Sequence, residues 1–112
     1  LWSIELPPFR YAIEAGIDAV IIAHVSAPDF QRHSEVPASL SSFWIQDILM
    51  KEMSFNGAVI TDAMGMGGII KNYSDDYAIV ETIIAGSDII IQNDRLSQFI
   101  DVIEKAVLEN GL

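Results

Sequence analysis

Three short runs of apolar residues recur along the chain, and each follows a glycine that comes after a helical pattern or a turn. The runs are 18–25, 58–60 and 88–92, and they are nearly continuous in apolar character rather than alternating with polar positions. Continuous apolar runs bounded by turn residues are typical of parallel strands that are buried on both faces. The pattern therefore predicts three buried strands.

Apolar residues at helical spacing predict four helices around these strands. Ser41 is expected to cap the second helix, and Gly16, Gly86 and Gly111 are expected to end the first, third and fourth. In the third helix the predicted buried stripe is Ile79, Val80, Ile83 and Ile84. The predicted helices cover 6–15, 41–53, 75–85 and 96–109.

Helix and strand thus alternate from one end of the chain to the other, which predicts right-handed crossovers and a parallel sheet. The spacing fits the last three β/α units of a (β/α)₈ barrel, and a small doubly wound parallel sheet is the alternative. Three strands leave two open parallel edges, which natural proteins rarely expose. We therefore expect residues 1–112 to be a single partial domain that self-associates when isolated.

Composition narrows the classes of partner. The 112 residues carry a net charge of -10, with 6 Lys+Arg against 16 Asp+Glu, so neither nucleic acid nor an anionic membrane surface is an expected partner. The chain has no cysteine, which excludes a disulfide framework and a thiolate metal site. Nothing in the sequence implies a metal or an organic cofactor, and the cellular compartment stays open.

A carboxylate stands where the central strand would meet its following loop. Asn56-Gly57 is a turn signal, the apolar run follows, and Thr61-Asp62 leads into a loop with three glycines. In α/β folds the carboxyl ends of parallel strands are where ligands bind and where barrel enzymes place catalytic groups. An aspartate after a strand is also typical of a turn former or a helix N-cap, so position alone leaves both interpretations open.

The run 55–64 (FNGAVITDAM) resembles the nucleophile motif of glycoside hydrolase family 3, and in particular its bacterial β-N-acetylhexosaminidase branch. Other stretches agree with that family in order and spacing, so the resemblance covers nearly the whole chain. They are 5–9 with 15–20, 23–25 followed by 37–41, and 85–90.

The resemblance implies a catalytic barrel that hydrolyses terminal β-linked N-acetylglucosamine with retention, with cell-wall fragments as the expected source and Asp62 as the nucleophile. The family branch also uses an Asp-x-His pair as general acid/base and a Lys-His pair that holds the sugar, and neither motif occurs here. We therefore expect the rest of the catalytic domain to supply them and the isolated chain to be inactive. A family-3 β-glucosidase-like hydrolase and a non-catalytic sugar-binding module are the alternatives.

Two further residues are candidates for substrate contact. His24 ends the first strand, level with Asp62 if the strands are parallel neighbours, so it could hydrogen-bond a substrate or be satisfied by the adjacent loop. Met64 follows Asp62 by two positions and could form an apolar wall beside the sugar, although methionine is more often core filler.

The remaining polar positions are expected to be structural. Asp18 and Asp88 precede strands, at the end of the sheet opposite the site, and Asp75 and Asp76 suit a helix start, where the dipole favours negative charge. His33 is expected to be a solvated loop residue. Trp44 lies on a helix face and is expected to pack in the core rather than stack on a sugar.

Overall fold

A computed structural model describes residues 3–31, 34–92 and 94–112. Helices and parallel strands alternate along the chain, as the sequence predicts. Two 3₁₀ turns, Pro28–Phe30 and Ala38–Leu40, lie in the loop after the first strand. The other elements are α1 (Pro7–Glu14), β1 (Ala19–Ile22), a π-helix (Phe43–Glu52), β2 (Ala58–Thr61), α2 (Gly67–Ile70), α3 (Asp75–Ala85) and α4 (Leu96–Asn110).

The regular sheet consists of two parallel strands. β1 and β2 pair in register from Ala19 opposite Ala58 to Ile22 opposite Thr61. The predicted third strand over 88–92 is wrong in its extent, because this segment forms only an isolated parallel bridge between Ile89 and Ile60. The parallel direction agrees with the prediction.

Side chains replace backbone groups on both sides of that bridge, which explains why the third segment is not a regular strand. The Val59 N–H donates to Asp88 Oδ2 at 2.9 Å, and the Ile91 N–H donates to Thr61 Oγ1 at 3.1 Å. The bridge itself has two regular backbone bonds, from the Ile89 N–H to the Val59 carbonyl at 3.1 Å and from the Thr61 N–H to the Ile89 carbonyl at 2.9 Å. Side-chain acceptors of this kind compete with regular pairing, and the hydrophobic pattern carries no signal for them.

The predicted second helix is present but has π geometry. Its N-cap residue is Ser42, which makes no side-chain cap bond, and Ser41, the predicted cap, accepts from the Trp44 N–H through its Oγ at 3.4 Å. At the other end the Met53 N–H donates to the Ile48 carbonyl, five residues back, at 2.9 Å. The helix packs Ile45 and other apolar residues against the sheet.

Glycines end the helices where the sequence predicts. Gly16, Gly86 and Gly111 have φ values of +93°, +122° and +68°, which L side chains rarely adopt. Ser74 caps α3 by accepting from the Tyr77 N–H at 3.3 Å. None of the helices among the described residues is long and apolar enough to cross a membrane.

Two hydrophobic cores hold these elements together. The first lies between the sheet and the π-helix and contains Val20, Ile45, Leu49, Met53, Phe55, Val59 and Ala85. The second packs α3 and α4 against the loops at the carboxyl ends of the strands. Its buried members are Leu40, Met64, Ile69, Ala78, Ile79 and Phe99.

The buried face of α3 differs from the predicted stripe. Ile79 is buried as predicted, but Ile84 is exposed, and the other buried positions are Ala78, Thr82 and Ala85. Thr82 turns inward because its hydroxyl donates to the Ser39 carbonyl at 2.6 Å. The small alanines let α3 approach the Ala38–Leu40 turn closely.

The two faces of the sheet have different surroundings. Val20 and Val59 point toward the helices and are buried in the first core. Ile21 points the other way and is 60% exposed, as strand alternation requires. Ile89 and Ile91 in the neighbouring segment are also exposed. One face of the sheet is therefore packed by helices, and the opposite face is apolar and open.

Candidate active site

Asp62 lies directly beyond the carboxyl end of β2. Its backbone N–H donates to the Ile22 carbonyl at 3.0 Å, which continues the pairing with β1 by one residue. Alternation places Asp62 on the same face as Ile60, opposite the first core. The residue is half-buried. The backbone that carries this carboxylate is therefore held by the sheet, as a strand-end position predicts.

The two oxygens of the Asp62 carboxylate have different surroundings. Oδ1 accepts a hydrogen bond from the Ala63 N–H at 2.8 Å. Oδ2 accepts none from any residue that the structure describes. The local bond orients the carboxylate, as in a turn, and leaves the second oxygen available to a ligand.

His24 connects the ends of both strands. Its Nε2–H donates to the Ala63 carbonyl at 2.8 Å, and because a carbonyl cannot donate, the proton must be on Nε2. In the neutral ring, Nδ1 then accepts from the Ser39 hydroxyl at 2.7 Å. The structure thus brings His24 next to Asp62 through Ala63, and both ring nitrogens are used within the protein.

A polar cleft of about 370 Å³ opens beside His24. Ser26 and Glu35 line it from the loop after β1, and Asn72 and Tyr73 line it from the end of α2. Amide, carboxylate and hydroxyl groups of this kind can hydrogen-bond a neutral polar ligand such as a sugar. His24 lines this cleft, whereas Asp62 does not.

Met64 is placed in the second core. Its side chain is 4% exposed, packed with the residues of that core, and its N–H donates to the Ile91 carbonyl at 3.0 Å. The predicted substrate contact through Met64 stays a prediction.

Several residues around the candidate site were not singled out by the sequence. Ser39 is fully buried, and Thr61, also fully buried, accepts from the third segment. Ser39 lies in the run 37–41 that carries part of the family resemblance, but no spacing rule links it to a histidine fifteen residues earlier. His33 lies outside the described residues.

The other polar positions have structural contacts. Asp88 binds the Val59 N–H, as its predicted structural role requires. Trp44 lies on the π-helix, where it is half-buried and belongs to neither core, so the expectation that it packs in the core is wrong. Its ring N–H donates to Gln31 Oε1 at 2.7 Å. Within the described part of the chain, no three His, Asp or Glu side chains come together as metal ligands would.

The sequence is similar to that of known proteins over its whole length. The family description "Glycosyl hydrolase family 3 N terminal domain" matches residues 1–112. A "Beta-hexosaminidase" of Hydrogenovibrio crunogenus is 31% identical over 108 residues, which is 96% of this chain and 29% of that protein. One from Stenotrophomonas maltophilia is 47% identical over 62 residues, covering 55% of this chain and 18% of that protein. The chain thus spans less than a third of these relatives.

Solved structures agree with the sequence relatives. The β-N-acetylglucosaminidase from Thermotoga maritima superposes with a TM-score of 0.87 at 32% identity, over 98% of this chain and 24% of that chain. A glycoside hydrolase family 3 β-N-acetylglucosaminidase from Paenibacillus sp. gives 0.86 at 36% identity, over 94% and 20%. These matches confirm the predicted α/β class and the assignment to part of a barrel. The chain belongs to glycosyl hydrolase family 3 and matches its N-terminal domain.

Proposed function

We propose that the full-length protein is a retaining β-N-acetylhexosaminidase that removes terminal β-linked N-acetylglucosamine, with Asp62 as its nucleophile. Cell-wall fragments are the proposed source of the sugar. The observation that carries the proposal is the Asp62 carboxylate, which has one oxygen held by Ala63 and the other open at a strand end. The relatives named for hexosaminidase and N-acetylglucosaminidase activity support the choice of sugar.

The proposed chemistry has two displacements. An Asp62 oxygen attacks the anomeric carbon, the glycosidic C–O bond breaks, and the leaving oxygen takes a proton from a general acid. Water then attacks the same carbon and gives a proton to the group that served as general acid, while the glycosyl ester bond to Asp62 breaks and the carboxylate is released. A second inversion restores the β configuration.

The surroundings of Asp62 suit a nucleophile. A nucleophile must be held in line with the anomeric carbon, and the Asp62 N–H bond to Ile22 and the Ala63 N–H bond to Oδ1 restrict the backbone and the side chain. Neither bond uses Oδ2. The carboxylate is therefore oriented through Oδ1 while Oδ2 stays available.

The general acid is proposed to come from outside residues 1–112, because the Asp-x-His and Lys-His motifs of the family branch are not in this sequence. The chain is proposed to be one part of the catalytic domain. Contact of His24 and Met64 with the sugar, which the sequence predicts, stays a prediction.

Substitution of Asp62→Asn in the full-length protein tests the proposal. An amide is a poor nucleophile, so kcat on an aryl β-N-acetylglucosaminide should fall by about 10³-fold or more, with little change in thermal unfolding. Asp47→Asn is the control, because Asp47 is exposed and, among the residues that the structure describes, pairs only with Lys51 on the helix surface. Its kcat should match the wild type.

Each of the following outcomes would contradict a part of the proposal. Wild-type turnover by the Asp62→Asn variant would exclude Asp62 as the nucleophile. Wild-type protein that binds the amino sugar but never hydrolyses it would favour a sugar-binding module, and faster hydrolysis of the aryl β-glucoside would favour the glucosidase alternative. NMR of the first-formed product separates retention from inversion, because retention releases the β anomer first.

A further inference from the structure

The hydrogen bonds of His24 leave little capacity for a substrate. Nε2–H donates to the Ala63 carbonyl at 2.8 Å, and Nδ1 is paired with the Ser39 hydroxyl at 2.7 Å. A neutral imidazole has one donor and one acceptor, so both are used inside the protein. A sugar hydroxyl could bond to this ring only by displacing one of these contacts.

The position of His24 also sets it apart from Asp62. Ser39, its other partner, is fully buried and bonds through its carbonyl to Thr82 of α3, so the ring is anchored on the helix side of the sheet. Asp62 lies on the opposite face by alternation. The imidazole therefore contacts the segment after Asp62 from the helix side of the sheet, which is opposite the face on which the carboxylate lies.

The peptide unit between Ala63 and Met64 is held from both sides. Its carbonyl accepts from His24 on the β1 side, and its N–H donates to the Ile91 carbonyl at 3.0 Å on the side of the third segment. The preceding amide, that of Ala63, orients Oδ1 of Asp62. Displacement of this peptide unit would move the Ala63 Cα and with it the adjoining N–H that orients the carboxylate.

We infer that His24 is a positioning residue for Asp62, which acts by clamping the Ala63 carbonyl to the end of β1 and to Ser39. The inference rests on the proposed function and names a role for His24 other than substrate binding. In this role the Nε2–H donates to Ala63, and Nδ1 holds the ring in place through Ser39.

The same carbonyl has a second donor, which makes the inference testable without unfolding the loop. The Met66 N–H donates to the Ala63 carbonyl at 3.2 Å within the turn that follows Asp62. Loss of the imidazole leaves this turn bond, so the carbonyl keeps a partner and the segment keeps its fold. The contact that is lost is the one between the Ala63 carbonyl and the side chain at the end of β1.

Two amide substitutions separate the functions of the two ring nitrogens. In His24→Gln the side-chain amide extends to about the reach of Nε2 and can still donate to the Ala63 carbonyl. In His24→Asn the shorter amide lies near the Nδ1 position, so it can bond Ser39 but does not reach Ala63. The pair is matched in polarity and differs in which contact survives.

Steady-state kinetics of the full-length variants on an aryl β-N-acetylglucosaminide give the main test. A small misplacement of a reacting group costs up to about 10²-fold in rate. His24→Asn should therefore lower kcat by about 30-fold or more with KM within about 2-fold, and His24→Gln should keep kcat within about 5-fold. An equal loss in both variants, or a rise in KM with kcat unchanged, would overturn the inference.

Hydrogen exchange gives a readout that does not depend on activity. In a peptide covering 61–66, followed by mass spectrometry, exchange should be faster in His24→Asn than in the wild type and close to the wild type in His24→Gln. Unchanged exchange in His24→Asn would overturn the inference even if the proposed activity were absent. Wild-type protein with no hydrolase activity but with this exchange pattern would contradict the proposed function and leave the clamp intact.

Discussion

An aspartate side chain lies at each end of β2, and the two make different hydrogen bonds. At the amino end, Asp88 Oδ2 accepts from the Val59 N–H at 2.9 Å and joins β2 to a segment 29 residues away. At the carboxyl end, Asp62 Oδ1 accepts from the N–H of the next residue at 2.8 Å. The residue type is the same, and both lie next to the same strand.

The Asp88 carboxylate thus links β2 to a distant segment, whereas the Asp62 carboxylate bonds the N–H of the neighbouring residue and keeps Oδ2 available. Asp88 supplies an acceptor that the sheet would otherwise lack on that side of Val59. The Asp62 side chain does not join two segments. At this end of β2 the backbone N–H groups of Asp62 and Met64 make those links, to Ile22 and Ile91. Removal of Asp88 should therefore act on stability, and removal of Asp62 on chemistry.

The largest effect on stability should come from Gly57, at the amino end. A Cβ at this position would lie 2.4 Å from the Asp18 carbonyl oxygen, which accepts the Ala58 N–H that starts the pairing of β1 with β2. Gly57→Ala should destabilise the full-length protein by about 3 kcal/mol, since backbone must move to relieve the overlap. Urea-induced unfolding measures the change.

Gly65→Ala is the matched control at the carboxyl end, because an added Cβ there meets nothing within 4 Å. It should change the free energy of unfolding by less than about 0.5 kcal/mol. Equal destabilisation by the two substitutions would show that the amino end is no more tightly packed than the loop after Asp62.

Much of this architecture follows from local sequence signals. Apolar runs located β1 and β2, glycines located the ends of the helices, and the position after a buried strand pointed to Asp62. These features depend on residues that are adjacent or one helical turn apart, so their signals survive in a single sequence.

The features that the sequence did not reveal depend on side chains that replace backbone partners over long separations. Thr61 Oγ1 and Asp88 Oδ2 interrupt the predicted third strand, and Thr82 rotates α3 toward Ser39. The contact between His24 and Ala63 spans 39 residues. Hydrophobic periodicity reports which face is buried, but it does not report which hydroxyl or carboxylate completes a hydrogen bond.

A middle-sized effect is expected at Thr61, beside the candidate nucleophile. Its fully buried hydroxyl accepts from the Ile91 N–H at 3.1 Å. Thr61→Val keeps the shape but leaves that N–H without its acceptor, which should cost about 2 kcal/mol in unfolding free energy. Thr61→Ser keeps the hydroxyl and should cost less; the reverse order of the two would contradict this role of the side chain.

The smallest loss of stability is expected at Asp88, because this side chain is exposed whereas that of Thr61 is buried. Asp88→Ala removes the acceptor of the Val59 N–H and should lower the free energy of unfolding by about 1 kcal/mol. Asp88→Asn retains a carbonyl oxygen at the same reach and should stay closer to the wild type. Because the contact lies at the end of β2 opposite Asp62, both variants should keep wild-type kcat in the full-length protein. A loss of kcat in Asp88→Ala comparable to that of Asp62→Asn would remove the distinction between the two ends.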